Sequence, residues 1–308
     1  MKSSLRIVPV PGHGTEDVLV AEDGTVYTGT ADGNLHAVDP RDGSSRLIGS
    51  TGGRPLGIEF LPDGRLLVCD AHHGLLAVDI ATGELETLVD SVEGRPLVFC
   101  NNAAVAANGD IWFSDSSTRF GIEHWRKDFI QHTRTGRLIR RSADGTVEVV
   151  LDDLAFANGV ALAADESYVA VAETTARTVA RLWLTGPQAG RRDLLCEDLP
   201  GYPDNIALGS DGLVWVSLPS TTDRFGERVL RMPRSVRVAV SSIPTGLQPP
   251  VARVVRVLAF DDAGRRVHDL SADATGFHMV TGVREHHGSV WLGSLEEPAV
   301  AVISLGAD

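Results

Sequence analysis

Four residues far apart in the chain share one address. Glu16, Asn101, Asn158 and Asp204 each lie eight positions before the second residue of a tight-turn pair, at Gly24, Gly109, Glu166 and Gly212. Two carboxylates and two carboxamides, with neither Cys nor His among them, form a hard oxygen set that suits Ca²⁺ better than zinc or copper. Mg²⁺ fits less well, because it demands tight octahedral geometry and keeps most of its waters. The same count from Gly64 and Gly288 lands on Leu56 and Val280, which carry no donor. Hydrogen bonding among the four in a wet channel is the alternative, although two acids held together without a cation repel one another.

An address of this kind needs a repeat. A turn pair followed by a short apolar or alternating strand recurs as "EDGTVYTG" (22–29), "PDGRLLVCD" (62–70), "ANGDIWFSD" (107–115), "ADESYVAVAE" (164–173), "SDGLVWVS" (210–217) and "HHGSVWLGS" (286–294). Asp-Gly and Asn-Gly supply the positive φ angles of tight hairpins, and the β-branched and aromatic residues that follow favour pleated sheet. In the first three units a third strand follows, "GNLHAVD", "GLLAVDI" and "GRLIRRS", and then another turn leading to a fourth strand. Four antiparallel strands in a repeat of roughly 40 or more residues mark a β-propeller blade. Six repeats predict an all-β, six-bladed propeller spanning residues 1–308 as a single domain. The innermost strand of every blade borders the channel, so equal offsets lie at equal height and face one axis.

Two intervals are longer than the rest. In 118–135, Ile122, Trp125 and Phe129 recur at helical spacing, which predicts a short helical cover that either caps one end of the barrel or lines a substrate mouth. The interval 221–250 is rich in Pro, Ser and Arg towards its end and reads as a long excursion from blade five. Phe120, Trp125 and Phe225 in these intervals point to an organic substrate less polar than a free sugar acid. Asp70, Asp115 and Glu173, several residues beyond their hairpins, are expected near the opposite end or the rim.

The stretches "RPLGIEFLPDGRLLVCDAHHGLLAVD", "FSDSSTRFGIEHWRKDFIQHTRTGRLIR", "FANGVALAADESYVAVAET", "GPQAG" and "LPGYPDNIALGSDGLVWVSL" carry a family likeness. The chain resembles the calcium-dependent six-bladed propellers of the senescence marker protein/gluconolactonase and paraoxonase group, most closely its strictosidine synthase-like branch. The resemblance covers almost the whole chain and implies Ca²⁺ bound by Glu16, Asn101 of "FCNN", Asn158 of "FANG" and Asp204 of "YPDN". Lactonases of the paraoxonase type place a proton-accepting His at the start of "RPLGI", where this chain has Leu56. His72 and His73, farther along in "CDAHHG", either reach the pocket or serve as surface turn residues. Plant strictosidine synthase, a metal-free member, condenses an amine with an aldehyde using a Glu whose counterpart here is Thr281. A missing Glu and an intact ring argue against that condensation.

These readings predict a calcium-dependent hydrolase that opens a lactone or ester of a small-molecule substrate in the channel. Asp204 is the candidate catalytic base or nucleophile, Asn101 and Asn205 could orient substrate or water, and Asn205, Thr281, Leu56 and Trp125 are the candidate substrate contacts. A biosynthetic lyase, isomerase or condensing enzyme using the same pocket, and a non-catalytic ligand-binding propeller, are the alternatives. A formal net charge of -13 disfavours nucleic acid and anionic membranes as partners. The first residues lack the apolar run of a secretory signal and no stretch is long enough to span a bilayer, so the cytoplasm is the expected location. Cys69, Cys100 and Cys196 are odd in number and lack C-x-x-C spacing, as expected of buried free thiols. The oligomeric state is left open.

Overall fold

The computed structural model describes residues 4–222, 224–244, 247–248 and 251–306. All six turn pairs form hairpins, and their second residues, Gly24, Gly64, Gly109, Glu166, Gly212 and Gly288, take φ of 86°, 87°, 87°, 55°, 77° and 79°. Each hairpin joins the first and second strands of a four-stranded antiparallel sheet, and the six sheets are the blades of the propeller. The first strands are Leu19–Val20, Pro55–Phe60, Cys100–Val105, Ala157–Leu162, Ile206–Leu208 and Val280–His286.

Burial falls off from the axis outwards. In blade two, Leu66–Asp70 and Gly74–Val78 are buried throughout, whereas the outermost strand Leu85–Val89 is mostly exposed. Strands covered on both faces read as unbroken apolar runs, which is why the inner hairpins dominate the sequence signal. Six apolar clusters fill the gaps between neighbouring blades, each drawing residues from two of them. The hydrophobic core is therefore a ring of wedges, and the axis is left to polar side chains.

Blade six is completed from the other end of the chain. Leu5–Pro9 pairs antiparallel with Ala299–Ser304, from Leu5 opposite Ile303 to Pro9 opposite Ala299. The sequence reading assigned no strand to this segment. Its partner lies nearly the whole chain away, beyond any local pattern.

The cap is larger than the short helical cover expected. Helix α1 (Trp125–Gln131) follows a 3-10 turn at Ile122–His124, and the 221–250 excursion adds α2 (Arg224–Leu230) and α3 (Arg234–Ser241). Both insertions occupy the connection between the second and third strands of their blades, three and five. A first strand runs from the ring positions down to its hairpin and the second runs back, so these connections all emerge at the ring end. The helices consequently meet over the channel mouth. Gln131 Nε2 donates to Ser241 Oγ at 2.9 Å, tying α1 to α3, and Tyr202 Oη donates to Glu227 of α2 at 3.1 Å.

Candidate active site

The ring positions sit in β-bulges. Register shifts between Pro55 and Ile58, Cys100 and Ala103, Ala157 and Val160, and Val280 and Val283 set two residues of a first strand against one of its neighbour. A bulge re-aims the side chain it carries. Leu56, Asn101, Asn158 and Thr281 are the first bulge residues of these four blades, and all line the cavity that also receives Glu16 and Asp204. Asp204 and Asn205 lie just ahead of their strand, which begins at Ile206, instead of heading it. In blade six the count of eight misses by one. Glu285 pairs with Val290 across four residues where Val105 pairs with Ile111 across five, so the shorter hairpin brings Thr281 to the ring and leaves Val280 in the core between blades five and six.

The amides of the ring are tied down by their nitrogens. Asn101 Nδ2 donates to Ser116 Oγ at 2.9 Å, Asn158 Nδ2 to Thr174 Oγ1 at 3.2 Å, and Asn205 Nδ2 to the Glu16 carboxylate at 3.2 and 3.4 Å. The Oδ1 atoms of all three are buried without a hydrogen-bond partner among the described residues. A buried acceptor left unmatched costs free energy unless something at the site satisfies it. Burial, then the charges of Asp204 and Asp17, holds the Glu16 carboxyl well above the ordinary range, with Arg54 and Asn205 pulling the other way. Burial lifts Asp204 to about 7, with the Asn158 amide opposing the rise and Asp17 adding to it. Three orphaned oxygens and two acids that resist ionisation fit a hard divalent cation. Glu16, Asn101, Asn158, Asp204 and Asn205 are the residues that could hold one.

A second polar layer supports the ring from below. Asp17, Asn102 and Asn205 alternate around the axis with Gly57, Gly159 and Gly282. A Cβ on Gly159 would lie 2.0 Å from the Ile206 nitrogen, and one on Gly282 would lie 2.7 Å from Asp17 Cα. Only glycine lets the neighbouring blade come so close. Asn102 Oδ1 accepts from the Val160 N–H at 2.9 Å, its Nδ2 donates to Asp17 Oδ2 at 3.3 Å, and that same oxygen accepts from the Ile58 N–H at 3.2 Å. Burial raises Asp17 to about 6, less than it would without Arg284, which is ion-paired with Glu59.

Above the ring lies a cavity of about 650 Å³. Phe99, Phe156, Tyr202 and Met279 form its lower wall, with Phe99 and Phe156 edge to face at 5.6 Å. Each stands two residues before Asn101, Asn158, Asp204 or Thr281. Sequence reasoning missed them, although a second pass at that offset finds all four, because the repeat places equal offsets at equal height in every blade. The roof is apolar: Trp125 and Phe129 of α1, Leu230 of α2, Val240 of α3, and Ile243 and Leu247 beyond it. Phe120 is not among the lining residues, and the side chain of Phe225 lies outside the described ones.

The sequence pattern of the SMP-30/Gluconolactonase/LRE-like region matches residues 15–245. The chain belongs to this family. Among its relatives, a strictosidine synthase-like protein of Arabidopsis thaliana is 37% identical over 82% of this chain and 70% of its own length. The human adipocyte plasma membrane-associated protein is 33% identical over 92% of this chain and 73% of its own. Two solved structures share the fold at low identity. A gluconolactonase of Xanthomonas campestris superposes with a TM-score of 0.72 at 16% identity, covering 99% of this chain and 90% of that one. Regucalcin of Agrobacterium tumefaciens, described as a calcium-binding protein, gives 0.70 at 13%, covering 100% and 96%.

In this SMP-30/gluconolactonase family member the acids that end the second strands are neither at the far end nor at the rim. Asp115 lies opposite Cys100, Asp70 opposite Pro55 and Glu173 opposite Ala157, level with the ring and one strand out, because the second strand returns to that end. Asp115 and Glu173 fasten the chain as it enters the first strand, whereas Asp70 accepts from the N–H groups of His72 and His73 in the turn that follows it. Asp115 accepts from the Phe99 N–H at 2.8 Å and from Arg137 at 2.6 Å, and Glu173 accepts from the Ala155 N–H at 2.9 Å. His72 sits at the rim with its Nε2 2.6 Å from Glu123, and neither it nor His73 lines the cavity. Among the described residues no helix is long and apolar enough to cross a membrane.

Proposed function

We propose that this propeller is a calcium-dependent hydrolase that opens a lactone or ester of a largely apolar small molecule. One observation carries the reading: the buried, unpartnered amide oxygens of Asn101 and Asn158 line the floor of an apolar cavity together with two acids of raised pKa, and Asn205 in the layer beneath holds the Glu16 carboxylate. The gluconolactonases in the family and the calcium-binding regucalcin that shares the fold support it. A Ca²⁺ ion held by Glu16, Asn101, Asn158, Asp204 and Asn205 would polarise a substrate carbonyl and stabilise charge developing on its oxygen. The protein supplies the rest. Asp204 is the one acid of the floor only partly buried, so its carboxylate faces substrate and can take a proton from an attacking water or attack directly. Phe99, Phe156 and the cap hold the apolar body of the substrate and exclude bulk water. The test is calorimetry of chelator-treated protein with Ca²⁺, followed by a screen of lactones and aryl esters. Full turnover by metal-free protein would refute the proposal.

A second reading is a lyase or condensing enzyme in the same pocket. No His lines the described cavity, leaving Glu16 and Asp204 as its acid–base groups, and one relative is named strictosidine synthase-like. Tight calcium binding with negligible turnover of every lactone and ester would favour this reading.

A further inference from the structure

The chain as a whole has 28 basic and 41 acidic residues, yet the two connections that build the cap, 118–135 and 221–250, contain nine Lys and Arg against four Asp and Glu. Positive charge is thus gathered in the cap itself. Arg224, Arg228, Arg231 and Arg234 are all exposed. Arg231 makes only a long contact with Glu227, at 3.8 Å, and the other three form no salt bridge among the described residues. Of the nine large apolar side chains exposed in the described residues, four lie within twelve positions of the cap: Val236 and Val238 on opposite flanks of α3, and Ile243 and Leu247 beyond it. Single exposed apolar residues need no explanation, but a cluster does. Ile243 and Leu247 also line the cavity, and Leu247 is 78% exposed, so the patch runs into the mouth of the pocket.

We infer that the cap docks on an anionic lipid bilayer, setting Val236, Val238 and Leu247 among the headgroups and Arg224, Arg228, Arg231 and Arg234 against the lipid phosphates. Apolar side chains fringed by arginines are the composition of an interfacial helix. The arginines select an anionic surface over a neutral one, and the exposed apolar groups select a bilayer over an acidic protein face. The net charge of -13 opposes such docking only weakly. Charges on the far blades lie beyond the screening length of about 10 Å at ordinary salt, which leaves the acids of neighbouring connections, such as Asp198, as the opposing charge. Docking is independent of the reaction the pocket performs.

The experiment is cosedimentation of the whole protein with vesicles of phosphatidylcholine alone or mixed with phosphatidylserine, at low and high salt. Binding is expected to the mixed vesicles only, and to vanish at high salt. The triple variant R228Q/R231Q/R234Q should bind about a hundredfold more weakly, roughly fivefold for each arginine. The variant V236D/V238D should also lose binding while its circular dichroism spectrum is unchanged. Equal binding to neutral vesicles, or no binding to either, overturns the inference. So does lipid-free self-association, seen by light scattering and abolished by the same arginine changes, which would mean that the cap pairs with the acidic blades of a second copy.

Discussion

An amide whose nitrogen is engaged and whose oxygen faces nothing is informative because the cost has no return within the protein itself. Asn101, Asn158 and Asn205 all show this arrangement, around two acids that burial holds above the ordinary carboxylate range. Changing Glu16→Gln or Asp204→Asn should weaken calcium binding about a hundredfold or more by calorimetry and abolish turnover. The metal-free Glu16→Gln protein should melt higher than the parent, since a buried like-charge repulsion is gone. A lower melting temperature with calcium affinity intact would remove both acids from the metal site. The pH dependence follows from the same shifts. Folded-state values raised above the unfolded ones favour the native state at low pH, and that stability is lost as pH rises from about 4 through about 7. The rise in melting temperature caused by calcium should therefore be small at low pH and large above neutrality, and a pH-independent rise would contradict the assignment.

Elements place these residues through bulges, tethers and close blade contacts. Gly159→Ala should cost about 3 kcal/mol in urea unfolding, because the added methyl meets backbone of blade five instead of a movable side chain. Asp115→Ala should cost about 3 to 5 kcal/mol, since it leaves Arg137 buried and unpaired and frees the Phe99 N–H. A loss below about 1 kcal/mol in either would show that the tether or contact is slack. This scale also explains what the sequence could convey. The hairpins were legible because a turn pair and an alternating strand are local features. Five of six ring positions followed by counting, and the sixth escaped only because the last hairpin is one residue shorter. The helices of 221–250 were illegible, since their apolar faces make sense only against α1 and the channel mouth. Asp70, Asp115 and Glu173 sit level with the ring because the second strand returns to that end, which distance from the hairpin alone does not convey.

At the scale of the molecule, the blades are joined by wedges of apolar packing, and the ring is shut by one short strand from the beginning of the chain. Deleting Leu5–Pro9 should uncover the Ala299–Ser304 edge and produce aggregation, measured by size-exclusion chromatography. A monodisperse truncated protein with unchanged melting temperature would show that the latch is dispensable. The latch also imposes a schedule on biosynthesis. The segment Leu5–Pro9 leaves the ribosome long before the strand it must meet, so it waits unpaired while five blades assemble. The circle, and with it the gathering of Glu16 and Asp204 at one point, can close only after the last blade has emerged.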